Sequence, residues 1–300
     1  MARRRTRRST TAGQLFPRQL LPLLRRQPWL WPLLLVAIPL WYGAEVWWWR
    51  PAQSFAGVPQ ASEWQFNNWH RVLRNDGFLV GWSDWRGNPL WVTFRLTPIP
   101  EGAARLQRPS RFSHDWRSLN PLNHDTYTGS GYDRGHLAPN YAMSRLYGST
   151  AQQQSFLMSN ITPQRPRLNQ KLWQRLEELE IDHFAPRFGE LWVTTGPIFD
   201  DRIKRLSSSW LVEIPDAFYR IWVAPGRDGA APKMLAFLVP QTVRGTEPLT
   251  RFVTKVDEIE DLTGLDFFSQ LPDALEQQLE GQVASGEWDL AAVANRKPRF

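Results

Sequence analysis

Between Gly129 and Glu177 the chain gathers residue types that do chemistry, in an order that rarely arises by chance. Asp133-Arg134-Gly135-His136 comes first, entered through Gly129 and Gly131, which permit a tight turn. Histidine titrates nearest neutrality, so His136 is the candidate general base. Arg134, two residues away, carries a planar fork of donors that suits an anion such as phosphate. Asp133 is placed to orient a backbone amide or a neighbouring arginine. A lone histidine more often serves structure than catalysis, but the four residue types together shift that balance. Asn160 follows within Ser159–Gln164, and Pro166 then closes the irregular segment.

A helix is expected to begin near Leu168. Leu172, Trp173, Leu176 and Leu179 recur at helical spacing and define one buried face. Asn169 falls in its first turn, where asparagine is a good capping residue. Its amide oxygen also suits a hard cation such as Mg²⁺, so it reads either as a cap or as a metal ligand. Glu177, eight residues on, lies about 80° round the helix and close to the same face; its plain reading is a solvated charge.

The elements that must hold these groups are mostly strands. Phe78–Trp82 and Leu90–Leu96 read as a hairpin across the turn-rich 83–89, and Leu191–Gly196, Phe218–Val223 and Met234–Val239 as three further strands. Phe156–Met158 reads as a strand end, and Val256–Thr263 and Ala274–Leu279 as short helices. No regular βαβ alternation is present, so the expectation is an α+β domain on a central antiparallel sheet. Residues 97–132 form a long polar segment with few periodic apolar positions, and a loop of that length inside a domain is usually functional.

Composition sets the outer bounds. The 300 residues contain 17 Trp and no Cys, which excludes disulfides, thiolate nucleophiles and Cys-ligated zinc. The formal net charge of +7 suggests a polyanionic partner, yet the excess is confined to one end. Residues 1–26 hold eight Arg and no acid, leaving 28 Lys and Arg against 29 Asp and Glu in the rest. Any phosphate-binding surface is therefore local, with arginines at 105–117, Arg134 and 165–175 as its candidates. The Arg run precedes an uncharged stretch, 27–44, and Trp-rich flanks through Trp49. That pattern predicts a transmembrane signal anchor over 27–49, with the tail 1–26 cytoplasmic, a linker at 50–62 and the globular domain at 63–300 beyond the membrane, on the periplasmic or extracytoplasmic side. A cleaved signal peptide is the competing reading, opposed by Trp47–Trp49 where small cleavage-site residues belong.

DRGH at 133–136, SNITPQ at 159–164 and LNQ-x₂-W-x₂-LE at 168–177 together resemble the DNA/RNA non-specific endonuclease family of ββα-metal (His-Me finger) fold. The resemblance continues through LWVTFRL (90–96), TGPIF (195–199), IPDAFYRIWV (214–223), AFLVPQ (236–241) and VDEIEDLTGLDFF (256–268), covering most of 63–270 in family order. It implies a hydrolase that cleaves DNA and RNA without sequence preference. His136 would be the base and Asn169 the single protein ligand of a hydrated Mg²⁺, with Mn²⁺ as a substitute. Arg134 matches the family's arginine, Asn160 and Glu177 match supporting polar residues, and Arg111 is the best positional match for an upstream arginine at the transition state, with Arg108 and Arg117 as alternatives. The oligomeric state is left open, a homodimer included. Two other functions stay in play: a catalytically silent nucleic-acid receptor at a membrane, and a phosphodiesterase acting on a smaller substrate.

Overall fold

The computed structural model describes residue 27, residues 29–227 and residues 229–297. The Arg-rich tail, 1–26, lies outside them. The chain divides into two compact units between Trp49 and Arg50.

In the first unit, α1 (Leu30–Ala44) contains Pro39 and continues as a π turn, Glu45–Trp49. Fifteen α-helical residues rise about 22 Å, against about 30 Å of hydrocarbon. No helix among the described residues is long and apolar enough to cross a membrane. The transmembrane helix expected over 27–49 is thus not present as one α-helix: the helix starts only at Leu30, and its α-hydrogen-bonding gives way at Glu45.

The second unit is built on seven strands: β1 (Arg71–Asn75), β2 (Phe78–Ser83), β3 (Asn88–Leu96), and, after two short strands β4 (Asp133–His136) and β5 (Ile161–Gln164), β6 (Leu191–Ile198), β7 (Ala217–Ala224), β8 (Lys233–Pro240) and β9 (Val253–Thr254). The large sheet runs β9-β8-β7-β6-β3-β2-β1, and every pairing in it is antiparallel. The α+β class on a central antiparallel sheet is what the structure shows. The five central strands are each one or two residues longer than the hydrophobic pattern suggests.

Side-chain alternation along the strands gives the sheet two apolar faces. Phe218 and Trp222 of β7 point with Val92 and Phe94 of β3 into one core, under a helix that runs through residues 166–188. Tyr219, Ile221 and Val223 point into the other, covered by α4 (Val256–Thr263, numbered after α2, Asn140–Leu146, and α3, Gly148–Ser155) and by α5 (Asp273–Glu280). The helix at 166–188, here the site helix, is not uniform. It is π at Leu168–Trp173, α at Gln174–Leu179, π at Glu180–Phe184 and α at Ala185–Phe188. Its expected apolar face, Leu172, Trp173, Leu176 and Leu179, is buried.

Two local expectations change. Phe156–Met158 is not a strand: Leu157 forms only an isolated bridge to Ser113, and a 3₁₀ turn occupies Met158–Asn160. Helices α2 and α3 had no clear sequence signal, since their small and polar residues lack an apolar stripe. The long segment 97–132 holds one 3₁₀ turn, His124–Tyr127, and is otherwise irregular.

Candidate active site

The DRGH sequence is a strand rather than a loop. β4 pairs antiparallel with β5, setting Asp133 against Gln164, Gly135 against Thr162 and His136 against Ile161. Gly135 is required by this pairing, because a Cβ there would lie 2.1 Å from the side-chain oxygen of buried Gln164. The hairpin is tied to the large sheet by Thr162, whose hydroxyl donates to Asn88 at 2.9 Å. His136 thus projects from rigid backbone. Its ring is 9 % exposed and wedged between Phe112 and Phe156, at 5.2 and 4.8 Å between centroids. Burial, and secondarily the nearby positive charge of Arg108, push its pKa down to about 3. The imidazole is therefore neutral at neutral pH, the state in which it accepts a proton.

An open cleft of about 550 Å³ lies in front of it, with Arg108, Arg134, His136, Asn169, Glu177 and Glu178 in its wall. Asn169 sits in the first π turn of the site helix, a distortion common at functional sites. Its backbone N–H donates to Arg165 O, so it lies inside the helix and is not the cap. Its side-chain nitrogen donates 2.9 Å to Asp133, and Gln170 donates to the same carboxylate oxygen at 2.8 Å. With that nitrogen committed, the amide oxygen is the atom left to meet a ligand in the cleft. Asp133, expected to orient a backbone amide or an arginine, instead links the hairpin to the site helix.

Glu177 is not a solvated charge. It is half-buried in the cleft wall, and burial pushes its pKa up to about 8, with Arg220 and Arg108 opposing and Glu180 reinforcing the shift. Behind it, Glu180 and Arg220 are both fully buried and paired, with one contact of 2.6 Å, and Trp222 also donates to Glu180.

The remaining expected residues fall in different places. Arg134 reaches the cleft but is anchored by two bonds to His124 O, at 2.8 and 2.6 Å, and one to Thr128. Asn160 is fully buried and takes no part in the cleft wall. Its oxygen accepts from Ala138 N at 2.9 Å and its nitrogen donates to Ala138 O and Ser155 O, so it fixes the chain just after His136. Arg111 points away into an exposed pair with Asp125, and Arg117 is spent on Asp115, Asn75 and the carbonyl of Arg74. Of the three upstream arginines only Arg108 lines the cleft, lying over the Phe156 ring at 5.2 Å. The irregular 97–132 segment offers no periodicity from which this choice could be read. Arg175, counted among the basic surface residues, is buried and donates to the carbonyls of Glu247 and Ala294.

The chain matches the family model of DNA/RNA non-specific endonucleases over residues 62–274. It is 28 % identical to a nuclease of Nostoc over 71 % of this chain and 78 % of that protein. With the Serratia marcescens nuclease it shares 29 % identity over 64 % and 73 % of the two chains. With human mitochondrial endonuclease G the figure is 29 %, over 59 % of this chain but only 63 % of the relative. Its fold matches the solved structure of an EndoG/EndoGI inhibitor complex with a TM-score of 0.59, at 23 % identity, over 71 % of this chain and 91 % of that one. The sequence motifs, the sheet and the match across 62–274 agree: this chain belongs to the DNA/RNA non-specific endonuclease family, hydrolases that act on nucleic acid.

Proposed function

We propose that this chain cleaves phosphodiester bonds of DNA and RNA without sequence preference, with His136 as general base and a divalent cation, Mg²⁺ or in its place Mn²⁺, held through Asn169. The observation that carries this reading is the convergence of a buried imidazole and an amide whose nitrogen, not its oxygen, is held by Asp133, in one arginine-bearing cleft.

Fit to a cation is supported by the chemistry of the donors. Asn169, Glu177 and Glu178 bring oxygen donors to the same cleft wall. Few protein ligands and many waters are what Mg²⁺ prefers. When bound, such an ion supplies Lewis-acid stabilisation of charge on the phosphate and the leaving oxygen. His136 takes a proton from the attacking water, and its flanking rings keep the imidazole from turning. Arg108 meets the negative charge that grows on the phosphate oxygens, and Arg134, whose Nε and Nη2 are taken by His124 O and Thr128, offers Nη1 to the substrate phosphate. Glu177 has the raised pKa of a group that changes protonation as a cation or phosphate enters. Contacts made only to phosphate carry no sequence information, which accounts for a lack of base preference.

Membrane attachment through the N-terminal segment belongs to the same reading, with the catalytic unit on the non-cytoplasmic side. Its support is the Arg-rich tail and the exposure of Trp29, Leu35, Leu40 and Trp47 around the first unit. A spanning arrangement requires α1 to act together with the turn at Glu45–Trp49.

A nicking assay on the full chain with supercoiled DNA, and a parallel RNA assay, test the function. Cleavage with Mg²⁺ or Mn²⁺ and none with EDTA is expected; no cleavage of either polymer in any divalent metal sinks the reading. For the anchor, alkaline carbonate extraction should leave the chain in the membrane pellet, and recovery in the supernatant removes that part alone.

A further inference from the structure

We propose that Asp257, Glu260 and Glu280 form a binding site for a hard divalent cation of the calcium class, on the face of the sheet away from the catalytic cleft. Asp257 and Glu260 come from α4 and Glu280 ends α5, two helices that pack over the rear core. One carboxylate oxygen from each lies within 4.8 Å of the others. Two oxygens that ligate one Ca²⁺ at 2.3–2.6 Å stand up to about 5 Å apart, so these three reach a common ion.

Glu280 is the independent sign of a ligand. It is only 5 % exposed, and its Oε1 is buried with no hydrogen-bond partner. Other buried carboxylates have a cation against them: Glu180 has Arg220, Glu213 has Arg86 and Asp115 has Arg117. The charged groups that act most on Glu280 are the acids Glu260, Glu276, Asp257 and Asp266, and among the described residues no Lys or Arg forms an ion pair with it. Glu260 uses Oε1 to accept from Phe267 N at 2.8 Å, which fixes its carboxylate. An unpaired buried acid among acids is costly, and a bound cation removes that cost. The donors are all carboxylate oxygens, with no imidazole or thiolate, and Ca²⁺ tolerates such irregular sets better than Mg²⁺.

The test is calcium titration by calorimetry on the full chain carrying Asn169→Ala, which removes the proposed ligand in the cleft. One Ca²⁺ per chain is expected, with Tm raised by about 5–10 °C at a hundredfold excess over Kd. Glu280→Gln in that background should weaken binding at least tenfold and abolish the Tm shift. Glu260→Gln, at a more open position, should weaken it likewise and decides the matter if Glu280→Gln does not fold. No calcium binding by the Asn169→Ala chain, or binding unchanged by both substitutions, overturns the proposal.

Discussion

On the cleft side of the sheet Glu180 is fully buried, and Arg220 and Trp222 meet its carboxylate. On the far side Glu280 is nearly as buried, and the charged groups that act most on it are other acids. Both push against the same cost of taking charge out of water. The first is settled inside the protein by a partner on β7, and this pair sits directly behind Glu177. The second is left to protons or to an ion from solution. The charge of Glu180 is thus held by the fold, whereas charge on the far side follows the medium.

The largest effect should come at the cleft. His136→Ala is expected to lower cleavage by about 10²–10⁴-fold, with far-UV circular dichroism unchanged; activity within tenfold of the native chain would refute the base assignment. Next, Arg220→Ala strands Glu180 without its partner and should cost about 3–5 kcal/mol, read as a fall in urea midpoint with an unaltered m-value. A loss below about 1 kcal/mol would erase the contrast between the faces. Arg108→Ala should reduce cleavage by about 10²–10³-fold, while Arg111→Ala stays within a few-fold; the reverse order would return the role to Arg111. Glu280→Gln, in EDTA, should leave Tm unchanged at neutral pH, where the carboxyl is already uncharged and has no partner to lose, and raise it towards pH 9. A large fall would mean that Glu280 is satisfied after all.

The pH dependence sharpens the same comparison. Burial, followed by neighbouring acids, raises Glu280 to about 9; burial also raises Glu260 to about 7, partly offset by the Phe267 N–H. A carboxyl with a raised pKa favours the folded chain when protonated. Its contribution is full below the ordinary carboxylate pKa and is lost as pH climbs through 7 and 9. In EDTA, Tm should therefore decline from pH 5 to 9, and less steeply in Glu280→Gln; equal slopes would contradict this. His136 has the opposite sign. Its pKa is depressed, so its contribution is present above the ordinary histidine value and lost as pH falls towards about 3. The acid limb of kcat/KM assigned to it should lie below pH 5, and a limb centred near 6.5 would show an imidazole in contact with water.

Much of this was legible in the chain. The five central strands, α4 and most of α5 follow from short apolar runs whose period the backbone imposes. The DRGH, SNITPQ and LNQ motifs were readable because their residues and order resemble the family's, while each residue alone had a plainer reading. What was not legible had a physical cause in each case. Asn160 entered by resemblance as a supporting polar residue, and only the fold shows what its amide holds: Ala138 and Ser155, in the interior. Arg111 and Arg117 stood at suitable spacing, yet Asp125 and Asp115 claim them. The apolar N-terminal stretch is long enough in composition, but its α-helix stops at Ala44.

The sequence by itself determined the class of fold and the family, and singled out His136 and Asn169 as the candidate base and amide ligand, because periodicity and motif order are properties of the chain taken locally. Only the tertiary structure decided which arginine enters the cleft, that His136 is buried and neutral, and that Glu280 has no basic partner among the described residues. Those depend on distances between residues far apart in sequence, such as Glu180 and Arg220 or Asn169 and Asp133, and on how much water remains between them.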